Sequence, residues 1–161
     1  MADHIAKKYG PAMAARFAAP DNPLSQAGNK VGIAFNPSRR LIPTLRPHVI
    51  MEHVNKVHGV DKGNELMKVL FRKYFEEAID VSVPSHLLDA CAEVFGPELR
   101  ESFTVALGDE AIASSVKAKD QFAKSRLRVS GVPFFIIGDN SFSGAQPPEL
   151  LAEVLREAAA N

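Results

Sequence analysis

The chain has 161 residues, of which 46% are hydrophobic and 24% charged, and its 19 basic residues balance 19 acidic ones. This is the composition of one folded domain with a real core, and with no net charge and only short basic pairs such as Arg39-Arg40 it excludes a nucleic-acid or acidic-lipid surface. Charged residues interrupt every candidate membrane span, the first residues MADHIAKKYG read as no secretory leader, and the single Cys91 rules out an internal disulfide framework and points to the cytoplasm.

Along the chain, apolar Ile5, Tyr9, Met13 and Phe17 recur every four residues and predict a short helix over 3–17 despite Pro11. Residues 18–43 are rich in Pro, Gly and Asn and read as loop, with one extended patch at Val31 to Phe35. From Thr44, a potential cap, the pattern turns helical: Ile50, Val54 and Val57 form a stripe that ends at Gly59, and Pro47 is tolerated because it falls in the first turn. A second helix follows with Met67, Leu70, Phe71, Tyr74 and Phe75 on one face. Ser82-Val83-Pro84 starts the next, whose stripe is Leu87, Leu88, Cys91, Val94 and Phe95 before Gly96-Pro97. Two more helices are expected around Glu98 to Leu107 and Asp109 to Lys124.

The end of the chain changes character. Val132 to Ile137 is a continuous apolar run between Gly131 and Gly138, which predicts a buried strand. Gly138-Asp139-Asn140 reads as a turn and Ser141 to Ser143 as a short return strand. Pro147, Pro148 and Glu149 open a last helix with Leu150, Leu151, Val154, Leu155 and Ala158 on its buried face. No repeat or low-complexity segment is present.

The most specific feature is Ser130-Gly131-Val132-Pro133-Phe134-Phe135. A proline at the head of a strand deletes a ladder donor. Residue chemistry leaves two readings open: a proline that merely begins an edge strand, or a cis X-Pro bond whose preceding residue, Val132, offers its N–H and C=O to an extended peptide or to glutathione. The segment Gly144-Ala145-Gln146, before the last helix, is a second candidate, because unpaired N–H groups at a helix start suit a carboxylate; simple capping is the equal alternative.

Ser130 to Ile137, followed by Phe142-Ser-Gly-Ala-Gln-Pro-Pro-Glu-Leu-Leu151, is very similar to the C-terminal signature of the DsbA family, and within it to the FrnE-like branch, relatives of 2-hydroxychromene-2-carboxylate isomerase and kappa-class glutathione transferase. Thr44-Leu-Arg-Pro-His48 resembles the family's Asn-Thr-x-x-Ala-His helix start, with Pro43 and Pro47 as departures. Tyr74-Phe-Glu-Glu-Ala-Ile-Asp-Val81 resembles its Tyr-Phe-x-Glu-Gly-x-Asp-Ile segment, and Ile5 to Gly10 its first inserted helix. The resemblance covers nearly the whole chain.

It implies an α/β, thioredoxin-like fold with a large helical insertion. The helical domain would occupy 1–129 and the C-terminal thioredoxin-fold portion 130–161, mostly helical overall with a C-terminal β-hairpin and helix. The family's first strand–helix–strand is expected to be absent, and with it the Cys-x-x-Cys. The substrate-binding residues implied are Gly131, Val132, Pro133, Gly144, Ala145 and Gln146, and the implied partners are thiol- or disulfide-containing proteins or peptides and glutathione, with no other cofactor.

No catalytic residue is assigned in the chain itself. Thiol–disulfide exchange requires a thiolate and a resolving partner, whereas Cys91 sits on an apolar helical face and reads as a small buried hydrophobe. His48, His53 and His58 are five apart, which fans them around a helix instead of onto one metal, so no metal site is expected. Without a first strand beside it, the Val132 to Ile137 strand is expected to present an edge that pairs with another chain, including a second copy. Two functions therefore stand: an oxidoreductase of this family, N-terminally truncated and inactive as written, or a peptide- or glutathione-binding module or association partner of a full-length paralogue.

Overall fold

A computed structural model of the chain describes Lys7, residues 10–19 and residues 22–160, with the side chains of residues 13, 14, 17 and 18 left aside. It divides into two compact units, residues 1–116 and 117–161.

In the first unit, α1 (Pro11–Ala18) and α2 (Pro23–Asn29) precede α3 (Leu45–Val57), α4 (Val60–Phe71), a π-helical turn (Arg72–Glu76), α5 (Pro84–Phe95), a 3-10 turn (Pro97–Leu99) and α6 (Arg100–Leu107). Helix α7 (Glu110–Ser125) runs across the division. No helix among the described residues is long and apolar enough to cross a membrane.

The expected helix over 3–17 is not continuous. Gly10 stands at φ +89°, a conformation in which a helix cannot proceed, and Pro11 starts α1 anew; Ile5 and Tyr9 lie outside the described residues. The 18–43 segment contains a helix that its loop-like composition conceals. Asn22 Oδ1 accepts from the Ser25 N–H (3.0 Å) and Pro23 supplies the first helical φ, so Asn-Pro here is a start signal for α2. Val31 to Phe35, expected to be extended, forms a turn and irregular chain with no strand.

Thr44 occupies the N-cap position of α3 without a side-chain cap bond; its carbonyl accepts from the His48 N–H (3.1 Å). Pro47 lies buried in that first turn. Ile50 and Val54 of α3, Leu66 of α4, Leu87, Ala90 and Cys91 of α5, and Phe103 of α6 are fully buried together, with Leu70, Val81, Leu88 and Ala106 almost so. The predicted stripe already divides at the end of α4, ahead of the π-turn, and the buried set adds Leu66, which that stripe does not include. Leu66 and Leu70 enter the core, but Phe71, one step round the helix, is 54% exposed and stacks edge-on to Phe75 (5.5 Å). Glu77 N–H returns to the Arg72 carbonyl five residues back (3.1 Å), which inserts a residue and shifts the register of the side chains that follow. Arg72 bridges Glu77 and Glu93, and Lys73 pairs with Glu93 (3.2 Å), tying this turn to α5.

The chain leaves the π-turn through Ala78 at φ +55°, with the Ile79 N–H returning to the Lys73 carbonyl (2.8 Å). A residue with a Cβ is strained in this left-handed region by about 1 kcal/mol. Ala78→Gly is therefore expected to stabilise the protein by about 0.5–1 kcal/mol, seen as a rise in Tm of about 2–3 °C. An unchanged or lower Tm would show that the neighbours, not the Cβ, set this conformation.

The second unit carries a two-stranded antiparallel sheet, β1 (Phe134–Ile137) with β2 (Asn140–Ser143), and a final helix α8 (Pro148–Ala160). The expectation of a buried strand is corrected here. None of Phe134 to Ile137 is fully buried, and Ile136 is 57% exposed, because one hairpin and one helix offer too little surface to enclose it. The same holds on α8: Leu151, Val154 and Ala158 are half-buried, but Leu150 and Leu155 face outward. The turn is two residues long, Gly138-Asp139, with Gly138 at φ +57° and Ala158 Cβ packed 3.4 Å from where a Gly138 Cβ would stand.

Candidate functional site

The hairpin decides which of the proposed site residues meet. A turn of three residues, as the sequence suggests, would place Ile137 opposite Ser141. With two, the register pairs Ile137 with Asn140 and Phe134 with Ser143, so the next position along brings Pro133 opposite Gly144. The Gly144 N–H donates to the Pro133 carbonyl (2.8 Å), one bond beyond the strands.

Gly144 is crowded. A Cβ on it would stand 2.8 Å from both Pro133 Cγ and Phe135 Cε2, so only glycine lets the two segments approach this closely. Phe135 stacks on its cross-strand partner Phe142 (5.6 Å), which fixes the ring that Gly144 touches. Gly131, by contrast, has open space about its Cα, and Val132 is 90% exposed. The Val132–Pro133 bond is cis, as is Gly144–Ala145. β1 itself begins only at Phe134, two residues later than expected, since Pro133 has no N–H to contribute to a ladder.

The start of α8 differs from an open set of amide donors. Pro147 and Pro148 carry no N–H, and the first helical bond runs from Leu151 to the Pro147 carbonyl (3.3 Å), leaving Glu149 and Leu150 as the donors that precede it. The Gln146 side-chain amide donates to the Ser143 carbonyl (2.7 Å) and so braces the Gly144–Gln146 segment from within. Pro133 and Gly144 are thus brought together at one end of the hairpin, with exposed Val132 before one and Ala145 and Gln146 after the other.

Cys91 belongs to the first unit and is fully buried on α5. Burial pushes its thiol up to about 12 and outweighs the opposing Arg100 charge, so the thiolate is not populated near neutral pH. His48 Nδ1 lies 2.7 Å from the Thr44 carbonyl, a local bond within the first turn of α3. His53 and His58 pack with Phe95 and Phe103 in an aromatic group, ring centroids 4.8 to 6.3 Å apart. Burial, and then the His58 charge, lower the His53 pKa, which favours its neutral form. Among the described residues no three His, Cys, Asp or Glu side chains gather as a metal site.

Among protein families, residues 4–156 match the DSBA-like thioredoxin domain. None of the curated proteins compared with the chain matches it.

Proposed function

The chain belongs to the DSBA-like thioredoxin family, a family of thiol–disulfide oxidoreductase type, and has its thioredoxin-like, mostly helical α/β fold; from this we propose that these 161 residues hold a thiol or disulfide substrate without exchanging it. Gly131, Val132 and Pro133 offer an extended peptide, or glutathione, a backbone edge to pair with, and Gly144, Ala145 and Gln146 flank that edge. The observation that carries this reading is the 90% exposure of Val132 beside a Pro133–Gly144 junction too tight for any other residue. Exchange itself requires a reactive thiol pair, and the single cysteine here is buried and kept protonated. The FrnE-like branch is the assignment we favour within the family, on the Ser130–Ile137 and Phe142–Leu151 segments. A reducing cytoplasm suits the lone thiol.

Titration with glutathione and with a short cysteine-containing peptide, followed by backbone NMR, is expected to shift the amides of Val132 and of Gly144 to Gln146. In the same preparation, insulin reduction by dithiothreitol is expected to run at the background rate, and Cys91 to resist alkylation until the protein is unfolded. Shifts absent from Val132 and Gly144 would remove the binding edge; turnover above background would overturn the inertness of Cys91.

A second reading has its own observation. Among the described residues β1 pairs with β2 alone, and Ile136 beside that edge is 57% exposed, so a further strand from a second copy or a paralogue extends the sheet. Sedimentation that shows a monodisperse monomer across the micromolar range would count against it.

A further inference from the structure

The ladder between β1 and β2 alternates, and the alternation sorts the backbone of β1 into two sets. The two-residue turn makes Ile137 and Asn140 the first hydrogen-bonded pair, and the Gly144 N–H on the Pro133 carbonyl (2.8 Å) keeps the same phase at the other end. Residues 133, 135 and 137 therefore turn their backbone groups to β2. The N–H and C=O of Phe134 and of Ile136 point the opposite way, and among the described residues none of them has a hydrogen-bond partner. Free donors and acceptors repeated two residues apart match the backbone of another extended chain.

Side chains narrow what that chain carries. Phe134 and Ile136 share a face with Ser143 and Ser141, their cross-strand partners, and both serines are exposed. Beside side chains this short Ile136 stands 57% exposed, with Phe134 half-buried. A residue paired with either of them across the free edge places its own side chain on this same face, about 5 Å away between Cβ atoms, and covers that apolar surface. From Val129 to Gly138 no residue is charged, so nothing on the strand guards its edge against an apolar partner.

We propose that the ligand held at Val132 continues along β1 as a third, antiparallel strand, with apolar residues at alternate positions on the N-terminal side of its cysteine. Antiparallel pairing is the more stable direction, and in it the residues opposite Ile136 and then Phe134 precede the one opposite Val132. Given the binding edge at Val132, on which this depends, the thiol substrate is of one class: an apolar-x-apolar-x-Cys segment of another protein. Glutathione reaches only the Val132 end of that edge.

The test uses the reduced peptide acetyl-Val-Ser-Val-Ser-Cys-amide and its reversed sequence, titrated into the full chain and followed by backbone NMR. The forward peptide is expected to shift the amides of Val132, Phe134 and Ile136 together, with a Kd on the order of 1 mM. It should bind about three- to tenfold tighter than the reversed one. N-methylation of its third residue, whose N–H faces Phe134, should weaken it about three- to tenfold, and N-methylation of the second, whose N–H faces away, far less. Ile136→Thr, which keeps a β-branched residue at an exposed position, should cut the preference for the forward peptide to about twofold or less. Equal affinities for the two peptides, or equal losses at the two N-methyl positions, would overturn the proposal and leave the Val132 edge standing. A Val132 amide that responds to no thiol ligand, glutathione included, would remove the edge itself and the proposal with it. A dimer whose Phe134 and Ile136 amides ignore the peptide would give the edge to a second copy and equally overturn it.

Discussion

Replacing Phe103 with alanine is expected to lower the unfolding free energy by about 4 kcal/mol, within the usual 3–5 kcal/mol for a buried Phe. Phe103 is fully buried and its ring stacks against Phe95 (5.1 Å), His53 (5.8 Å) and His58 (6.1 Å), so truncation empties space that α3, α5 and α6 cannot readily fill. A loss of this size is a large part of the 5–15 kcal/mol that holds a domain folded. The measurement is urea denaturation followed by the helical circular dichroism signal. Phe71→Ala is the matched control: the same side chain is removed from a position 54% exposed, and the expected loss is below about 1 kcal/mol. Equal costs at the two positions would mean that the core is not centred on Phe103.

Gly144→Val is expected to disorder the Pro133 end of the hairpin and to weaken glutathione or peptide binding at Val132 at least about tenfold, since a lost site contact of this kind is worth more than about 1.4 kcal/mol. The reason is steric. The first atom of any side chain at Gly144 arrives 2.8 Å from Pro133 and Phe135, and the Gly144 N–H bond to the Pro133 carbonyl must then lengthen or break. The helical core is expected to be indifferent, because among the described residues its buried hydrophobic members lie between Val49 and Ala106. Gly131→Ala supplies the contrast, for nothing lies within 4 Å of a Cβ there and the hairpin should persist. Amide shifts of Phe134 to Ser143 that stay unchanged in Gly144→Val, with binding intact, would show that the tight junction does not hold the edge in place.

The site is legible in the sequence as two separate pieces and not as a junction. Ser130 to Phe135 and Gly144 to Gln146 each carry a recognisable pattern, yet their meeting depends on whether the turn holds two residues or three, and Gly138-Asp139-Asn140 is compatible with both. A difference of one residue moves Pro133 from Gly144 to its neighbour. The stripe from Met67 to Phe75 is legible only in part. Phe71 ends α4 exposed although the helical period assigns it to the core, and the π-turn that follows, Arg72–Glu76, shifts the register of Tyr74 and Phe75 in a way no periodicity announces.

What the sequence determined by itself is local and periodic. The stripes that bury Ile50, Val54, Leu87, Leu88 and Cys91, the breaks at Gly59 and Gly96, and the hairpin followed by a proline-led helix all follow from side-chain period and from backbone groups that Pro and Gly forbid or permit. Only the tertiary structure decided which apolar residues go inside, as Phe103 does, and which stay out, as Phe71, Ile136 and Leu155 do. Periodicity states that a face is apolar; whether that face is covered depends on the area that the other elements have to offer, and a hairpin with one helix has little.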